Sequence, residues 1–205
     1  LSSTMALLGN LKRGLIFIVS APAGTGKTTL VNLLTSEFAN IKQSLSFTTR
    51  QKRPGEEQGV HYQFVTPAEF EQKIAKGDFL EYAKVHGHYY GTSRSWVEGE
   101  VVKGNHVILV IDTQGALQLK GELQAVFIFV KPPSLAVLRS RLLQRKTDSI
   151  GEIERRIEWA RTELELIPNY DYVILNEQLS VAYQVLRSII IAEGHKISYA
   201  HGDDG

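Results

Sequence analysis

The sequence predicts an α/β fold built on a mainly parallel sheet. Three observations predict it. Four short runs, 15–20, 106–111, 125–130 and 172–175, are almost continuously apolar. Segments of helical spacing lie between them, and a glycine loop joins the first run to the first helix. Apolar runs without polar alternation fit strands covered on both faces, and strands alternating with helices are the pattern of a parallel sheet with crossover helices. The 205 residues are enough for one sizeable core and a small inserted lobe.

Taken in order, Leu15–Ser20 is the first strand, and Leu30, Val31, Leu33, Leu34 and Phe38 mark a helix over 27–39. Residues 43–47 read as a weaker strand. From 50 to 90 the alternation breaks down: the chain is rich in Gly, Tyr and charge, with short strand signals around 61–65 and 79–90. Thr66-Pro67-Ala68-Glu69 is a capping-box pattern with proline at the first helical position. Val85-His86-Gly87-His88-Tyr89 reads as a hairpin turn. Helices are expected over 94–103, stopped by Gly104, and over 114–120. Pro132-Pro133-Ser134 ends a strand and starts a helix over 134–145. Ser149-Ile150-Gly151-Glu152 repeats the capping box at the head of a helix over 150–165. A last helix covers 179–193, and the polar tail from His195 is expected to fray. Trp96 and Trp159 fall at apolar helical positions and read as packing residues.

Composition narrows the function. Hydrophobic residues make up 43% and charged residues 22%, as in ordinary globular proteins. A formal charge of +1 argues against a large nucleic-acid surface. The basic residues are clustered locally, which suits a small phosphorylated ligand. Cysteine is absent, which excludes disulfides and thiol catalysis. Neither an apolar run of transmembrane length nor a signal peptide is evident, so a cytoplasmic protein with no membrane contact and no obligate protein partner is expected. Residues 1–4, ahead of Met5, read as a remnant outside the fold. The six histidines are scattered, and no Cys/His/carboxylate set, His86 and His88 included, has zinc spacing.

The most informative stretch is Ala21-Pro22-Ala23-Gly24-Thr25-Gly26-Lys27-Thr28-Thr29. Strand, glycine loop, then Gly-Lys-Thr opening a helix is the context of a phosphate-binding loop. Gly24 and Gly26 allow a sharp turn close to an anion. The N–H groups at the helix start face the phosphates, with the helix dipole behind them. Lys27 reaches the β- and γ-phosphates, and the Thr28 hydroxyl can coordinate Mg²⁺. The usual pattern begins with Gly, where this chain has Ala21.

Such a loop does not choose between a GTPase, an ATPase and a small-molecule kinase. The inserted lobe carries the choice. Arg50 and Arg53 lie three apart in a loop stiffened by Pro54, and two guanidinium forks suit a dianionic phosphate monoester. A solvated basic loop is the alternative. Tyr62, Tyr89 and Tyr90 add hydroxyls to the same lobe. Glu81 stands in an apolar run, Phe79-Leu80-Glu81-Tyr82-Ala83. It is either an exposed strand position or a carboxylate that accepts the adjacent N1–H and N2–H₂ of a guanine edge, a donor pair adenine lacks. A buried Glu81 left unpaired would then penalise the wrong base.

Ser44-Leu-Ser46-Phe-Thr-Thr-Arg50-Gln-Lys-Arg53-Pro-Gly-Glu56, Tyr89-Tyr90-Gly91-Thr92, Ile111-Asp112-Thr-Gln-Gly-Ala116 and Pro132-Pro133-Ser134 occur in an order and at a spacing that resemble the guanylate kinase family, over roughly residues 14–193. The resemblance implies a three-layer P-loop core (14–41, 93–138, 166–193), an inserted α+β GMP-binding lobe (42–92) and a mobile helical lid (139–165), flanked by an extension (1–13) and a tail (194–205). It implies ATP and GMP as substrates and Mg²⁺ as cofactor. Ser46, Glu81 and Thr92, with Gly91, match guanine-site positions. Arg50, Arg53, Tyr62 and Tyr90 match the GMP phosphate site. Asp112 matches an acid that reaches the guanine or the water shell of the metal; its bland reading is a turn-initiating Asp. The family often has Asp where this chain has Val110.

Phosphoryl transfer asks for alignment and charge neutralisation. The acceptor oxygen of GMP is already ionised, so no general base is assigned. Lys27 and Arg50 are catalytic candidates. Arg145 and Arg156 match the family's lid arginines, and Arg141 matches a nucleotide contact beside residues 21–29. Lys146 stands where the family commonly has Gly. Arg139 and Arg155 read as surface ion-pair residues. Three rivals stay open: a kinase of this fold for another phosphorylated acceptor, a non-catalytic interaction module, which the intact Gly26-Lys27-Thr28 disfavours, and a regulatory GTPase, which lacks an Asn-Lys-x-Asp motif here.

Overall fold

A computed structural model describes residues 6–9, 11–85, 87–145 and 148–197. Expectations that fall on residues 1–4, His86, Lys146 and the tail beyond 197 lie outside the described residues. The core is a five-stranded parallel sheet. It comprises β1 (Ile16–Ser20), β2 (Ile41–Gln43), β7 (His106–Val110), β8 (Val126–Lys131) and β9 (Tyr172–Leu175), in the order β2-β7-β1-β8-β9. β1 sits in the middle, hydrogen-bonded to β7 on one side and β8 on the other.

The continuous apolar runs are explained by the two faces of this sheet. Phe17, Val19, Ile108, Ile128 and Val130 point to one face, into a core shared with Leu30, Val31 and Leu34 of α1 (Lys27–Glu37) and Leu186 and Ile190 of α7 (Leu179–Gly194). Ile18, Val107, Leu109 and Phe127 point to the other, against Val97 and Val101 of α3 (Arg94–Val102) and Ala116 and Leu119 of α4 (Thr113–Leu119). Successive residues of one strand thus meet different helices, and few positions are left for polar side chains, the buried Ser20 and His106 among them.

Ion pairs and buried polar groups fasten the layers. The Glu37 carboxylate at the end of α1 takes hydrogen bonds from Arg187 (2.7 Å) and the Tyr183 hydroxyl on α7. Burial holds the His106 imidazole below its usual pKa. Its Nδ1 accepts from the Leu15 N–H at 2.9 Å, so the proton sits on Nε2, 3.4 Å from the Leu8 carbonyl. His106 is a satisfied core histidine that ties the N-terminal segment to the sheet.

The strand expected over 43–47 is two strands. β2 ends at Gln43 in the core sheet, the Ser44 N–H still donates to the Ile108 carbonyl, and β3 (Phe47–Thr48) already belongs to a second sheet. That sheet has the order β4-β3-β6-β5, with β4 (Gln63–Phe64), β5 (Phe79–Val85) and β6 (His88–Ser93). An aromatic cluster organises this lobe: Phe70 of α2 (Pro67–Ala75) stacks on Phe79 at 4.5 Å and on Tyr89 at 5.1 Å.

The helical segment over 139–165 is a hairpin of α5 (Leu135–Gln144) and α6 (Ile150–Glu165) with its own small core of Leu138, Leu142, Ile153 and Ala160. Both expected capping boxes form, at Thr66/Glu69 and Ser149/Glu152. Ser149→Ala is expected to cost the first turn of α6 about 1 kcal/mol, read as faster amide hydrogen exchange at its first residues; unchanged exchange there would show that the cap carries nothing. The tryptophans correct a sequence expectation. Trp96 and Trp159 are 38% and 39% exposed. Helical spacing places them beside the apolar stripe, but the packed positions belong to Val97 and Val101 in α3 and to Ile153 and Ala160 in α6.

Candidate active site

The parallel register carries the ends of β1, β7 and β8 to one edge, where Val19 pairs with Val110 and Ser20 with Phe129. Residues 21–26 leave β1 there, and Ile111-Asp112 leave β7 beside them. Chain order reverses on either side of β1, which opens a crevice beyond the strand ends, the usual ligand position of such sheets.

Residues 21–29 form the loop that the sequence predicts. Gly24 and Gly26 have φ of +91° and +97°, and Gly26 is the residue from which α1 starts. The backbone N–H groups of the first turn of α1 therefore face the crevice with no acidic side chain in that turn. Ala21 and Pro22 are buried, Thr25 is fully buried, and Ala23, Thr28 and Thr29 are exposed. Asn176, just past β9, braces the loop from below: its Nδ2 donates to the Thr25 carbonyl at 2.7 Å. A Cβ on Gly24 would lie 2.8 Å from Leu142, so helix α5 of the hairpin packs on this loop.

The Lys27 ammonium folds back to the Ala21 carbonyl at 3.4 Å. Burial lowers its pKa, while the charges of Glu163 and Asp112 oppose that shift. Glu163, buried at the end of α6, has its carboxyl pushed up to about 7 by the same burial, with Lys27 pulling the other way. Two carboxylates thus stand near a lysine that faces the anion site. Arg141 of α5 donates to the Asn176 carbonyl at 3.0 Å and sits beside the same loop.

In the lobe, Arg50, Tyr62 and Tyr90 come together. Arg50 Nε donates to the Tyr90 hydroxyl at 3.2 Å, and its guanidinium lies 5.3 Å from the centre of the Tyr62 ring. The two terminal nitrogens of the fork are held by Glu56, at 2.9 and 2.8 Å. Hydrogen bonding to Glu56 raises the Arg50 pKa further, and Arg50 holds the Glu56 carboxyl low. Glu56 also accepts the Arg53 N–H at 2.9 Å, which shapes the loop. The Arg53 side chain is exposed.

The second cluster lies where the lobe meets the core. Glu81 on β5 is 5% exposed, so it is not the exposed strand position that its single charge also allows. Its Oε1 accepts the Thr92 hydroxyl of β6 at 2.5 Å. Desolvation, reinforced by the Asp112 charge, raises its carboxyl to about 7, against the lowering by Thr92. Asp112 is the N-cap of α4, its Oδ1 accepting the Gly115 N–H at 2.9 Å, so the turn-initiating reading and a place at the crevice both hold for one residue. Ser46, half-buried, immediately precedes β3 in the same lobe. Gly91 is buried against Phe70 and Phe79, so its lack of a side chain makes room for the aromatic cluster.

Apart from Arg141, the arginines of the two-helix hairpin make contacts within it. Arg156 pairs with Asp148 at 3.2 Å within the hairpin, and Arg145 caps the end of α5, exposed. Arg139 pairs with Glu154 at 2.7 Å, the surface pair the sequence suggests, and Arg155 bonds the Gly151 carbonyl. No group of three or more His, Cys, Asp or Glu among the described residues has metal-binding geometry.

Sequence reasoning missed Glu56, Asn176 and Glu163 as members of these clusters. Glu56 had a signal, an acid six residues after Arg50 in a stiff loop. Asn176 and Glu163 had none, because their partners in the phosphate loop, Thr25 and Lys27, lie more than 130 residues away in the chain.

A central parallel strand, a glycine loop capping it, an inserted substrate-sized lobe and a two-helix lid define a P-loop nucleotide kinase architecture. A family model described as guanylate kinase matches residues 13–193. Guanylate kinase of Protochlamydia amoebophila is 59% identical over 194 residues, covering 95% of this chain and 98% of that protein. The Chlamydia trachomatis serovar D guanylate kinase is 45% identical over 185 residues, 90% of each. The crystal structure of guanylate kinase from Anaplasma phagocytophilum superposes with a TM-score of 0.76 at 35% identity, over 90% of this chain and 88% of that one. This chain belongs to the guanylate kinase family.

Proposed function

We propose that this protein transfers the γ-phosphoryl group of ATP to GMP, giving ADP and GDP. The observation that carries the reading is the buried Glu81–Thr92 pair of the lobe, standing where β5 meets the core helix α4. A buried carboxylate needs donors, and guanine brings two side by side.

ATP lies with its phosphates on residues 21–29, gripped by backbone N–H groups and by Lys27, with Arg141 beside the nucleotide. Ser46, Glu81, Thr92 and Asp112 face the guanine next to Gly91, and Arg50, Arg53, Tyr62 and Tyr90 take the GMP phosphate. The phosphate dianion displaces Glu56 from part of the Arg50 fork, and Glu56 keeps the loop in shape through the Arg53 N–H. Lys27, Arg50, Arg145 and Arg156 neutralise the charge that builds as two phosphates approach, the last two after the lid swings inward. The exposed Thr28 hydroxyl, and Asp112 through water, would hold Mg²⁺, which would supply charge neutralisation for the nucleotide phosphates. GMP phosphate oxygen attacks already ionised, so no side chain removes a proton. A cytoplasmic setting belongs to the proposal, since both substrates are charged nucleotides that do not cross membranes unaided.

The test is ADP release from ATP and Mg²⁺ with GMP, AMP, UMP and dTMP offered separately. Turnover with GMP alone is expected; turnover confined to another acceptor would remove the reading.

Glu81→Gln supplies the finer test. Gln offers one acceptor and puts an N–H against the guanine donors, so loss of two charge-assisted bonds of about 1.5–3 kcal/mol each predicts roughly 10²–10⁴-fold lower kcat/KM for GMP. KM for ATP should hold. The pH dependence has a definite sign. Guanine binding needs the ionised carboxylate, the Glu81 pKa is raised to about 7, and kcat/KM for GMP is therefore expected to fall as pH drops below about 7. Folding is linked oppositely. A folded pKa above the unfolded value favours the protonated form, so Glu81 contributes more stability as pH falls from about 7 toward the ordinary carboxylate range. A GMP profile flat from pH 6 to 8 in the parent protein would disconnect Glu81 from the base.

A further inference from the structure

Gly115 has no role in the chemistry above, yet its position is constrained. It is the third residue of α4, buried, with an ordinary helical φ. Glycine is a poor helix former, and backbone conformation gives no reason to prefer it over alanine here. Space does. A Cβ built on Gly115 would lie 2.5 Å from Glu81 Oε2, 3.1 Å from Glu81 Cδ and 3.4 Å from Asp112 Oδ1. The first two are well inside van der Waals contact.

The neighbouring contacts decide what would move. One residue beyond Glu81, strand β5 is clamped to α4: Gln118 Nε2 donates to the Tyr82 carbonyl at 2.8 Å, and the Tyr82 N–H approaches Gln118 Oε1 at 3.4 Å. Helix and strand are therefore held at fixed separation. The helix start is pinned as well, by the Asp112 cap on the Gly115 N–H. An added methyl must be met by the Glu81 carboxylate itself. That carboxylate turns about its own side chain, away from α4, and strains or breaks its 2.5 Å bond with Thr92.

The geometry points to Gly115 as a specificity-determining positioning residue. Its missing side chain is the slot that sets the angle of the Glu81 carboxylate against the base, and Gln118 fixes the depth of that slot. This inference rests on the reading that Glu81 faces guanine. It makes base selection a property of the core helix α4 as well as of the lobe, because the lobe carboxylate finds its orientation only against α4.

The experiment compares Gly115→Ala, Glu81→Gln, Glu81→Asp and the double variant Gly115→Ala/Glu81→Asp, using GMP and IMP, which lacks the 2-amino group. Gly115→Ala is expected to raise KM for GMP about 10–100-fold and to bring the GMP-to-IMP ratio of kcat/KM toward one. KM for ATP should hold, and Tm should change little, because the helix preference of alanine offsets the strain on the buried Thr92 bond. Asp at 81 withdraws the carboxylate by one methylene, so the two substitutions together should cost less than the product of their separate losses. If Glu81→Gln lowers GMP use while Gly115→Ala leaves both KM for GMP and the IMP ratio unchanged, the inference is overturned and the reading of Glu81 stands. Indifference of GMP kinetics to Glu81→Gln would overturn both. A Gly115→Ala protein with lowered Tm and equal losses for ATP and GMP, not relieved in the double variant, would assign Gly115 to plain packing.

Discussion

Lys27→Met is expected to lower kcat by about 10³-fold or more, equivalent to roughly 4 kcal/mol of transition-state stabilisation. Methionine keeps the apolar stem out to the position of the lysine Cε and removes the ammonium with its charge and donors. The ammonium lies in a buried position where desolvation works against it, held charged by Glu163 and Asp112. A charge kept there at a cost matters most when the phosphates develop additional charge during transfer. ATP binding should weaken far less, because the backbone N–H groups at the start of α1 remain. Tm should change little: without Lys27, Glu163, whose carboxyl is already pushed up to about 7, takes up a proton and no naked charge remains. The checks are single-turnover rate, ATP affinity and thermal unfolding. A kcat within tenfold of the parent would remove Lys27 from the catalytic set.

Arg50→Ala should lower kcat/KM for GMP by about 10²–10⁴-fold through loss of a two-pronged contact to the phosphate. A second consequence follows from the geometry. Arg50 pins Glu56 by two bonds, and Glu56 in turn shapes the loop through the Arg53 N–H. Alanine leaves Glu56 beside the phosphate site without its cation, so repulsion of GMP adds to the lost contact. Arg50→Ala/Glu56→Gln is then expected to recover about tenfold of the loss. Recovery absent in steady-state GMP kinetics would show that Glu56 departs from the site when phosphate binds. Arg50→Lys should resemble alanine more than arginine, because a single ammonium cannot span both phosphate oxygens and the Tyr90 hydroxyl.

The legible part of the fold was the core. The strands at 16–20, 106–110, 126–131 and 172–175 and the helices between them lie within a residue or two of where apolar runs and caps put them. The inner runs are legible because strands covered on both faces leave few polar positions to blur them; β9, at the sheet edge with Val173 and Leu175 exposed, is legible from its apolar run alone. The lobe was less legible. Its strands of two residues at 47–48 and 63–64 are too short to carry a period, and they exist because the chain around them is held by the aromatic cluster of Phe70, Phe79 and Tyr89. Trp96 and Trp159 misled for a related reason: helical spacing identifies a stripe about 100° wide, and only packing settles which residue at its margin is covered.

For the site, the sequence by itself determined the phosphate loop, since a strand, two glycines with positive φ, a lysine and a helix start are contiguous and their geometry is local. It suggested the residue types of the lobe as well: Arg50 and Glu81 from side-chain chemistry, and Tyr62 and Tyr90, rather than Tyr89, only through the family resemblance. Only the tertiary structure decided their state. It buried Glu81 against Thr92 and Asp112, filled the Arg50 fork with Glu56, put Asn176 against the phosphate loop and Glu163 beside Lys27, and paired Arg156 with Asp148 inside the two-helix hairpin. The physical reason is separation along the chain. Backbone turns and helix caps are set by neighbours a few residues apart, whereas desolvation and charge pairing depend on which distant segments the packed core brings together, as Gly115 on a core helix and Glu81 on a lobe strand show.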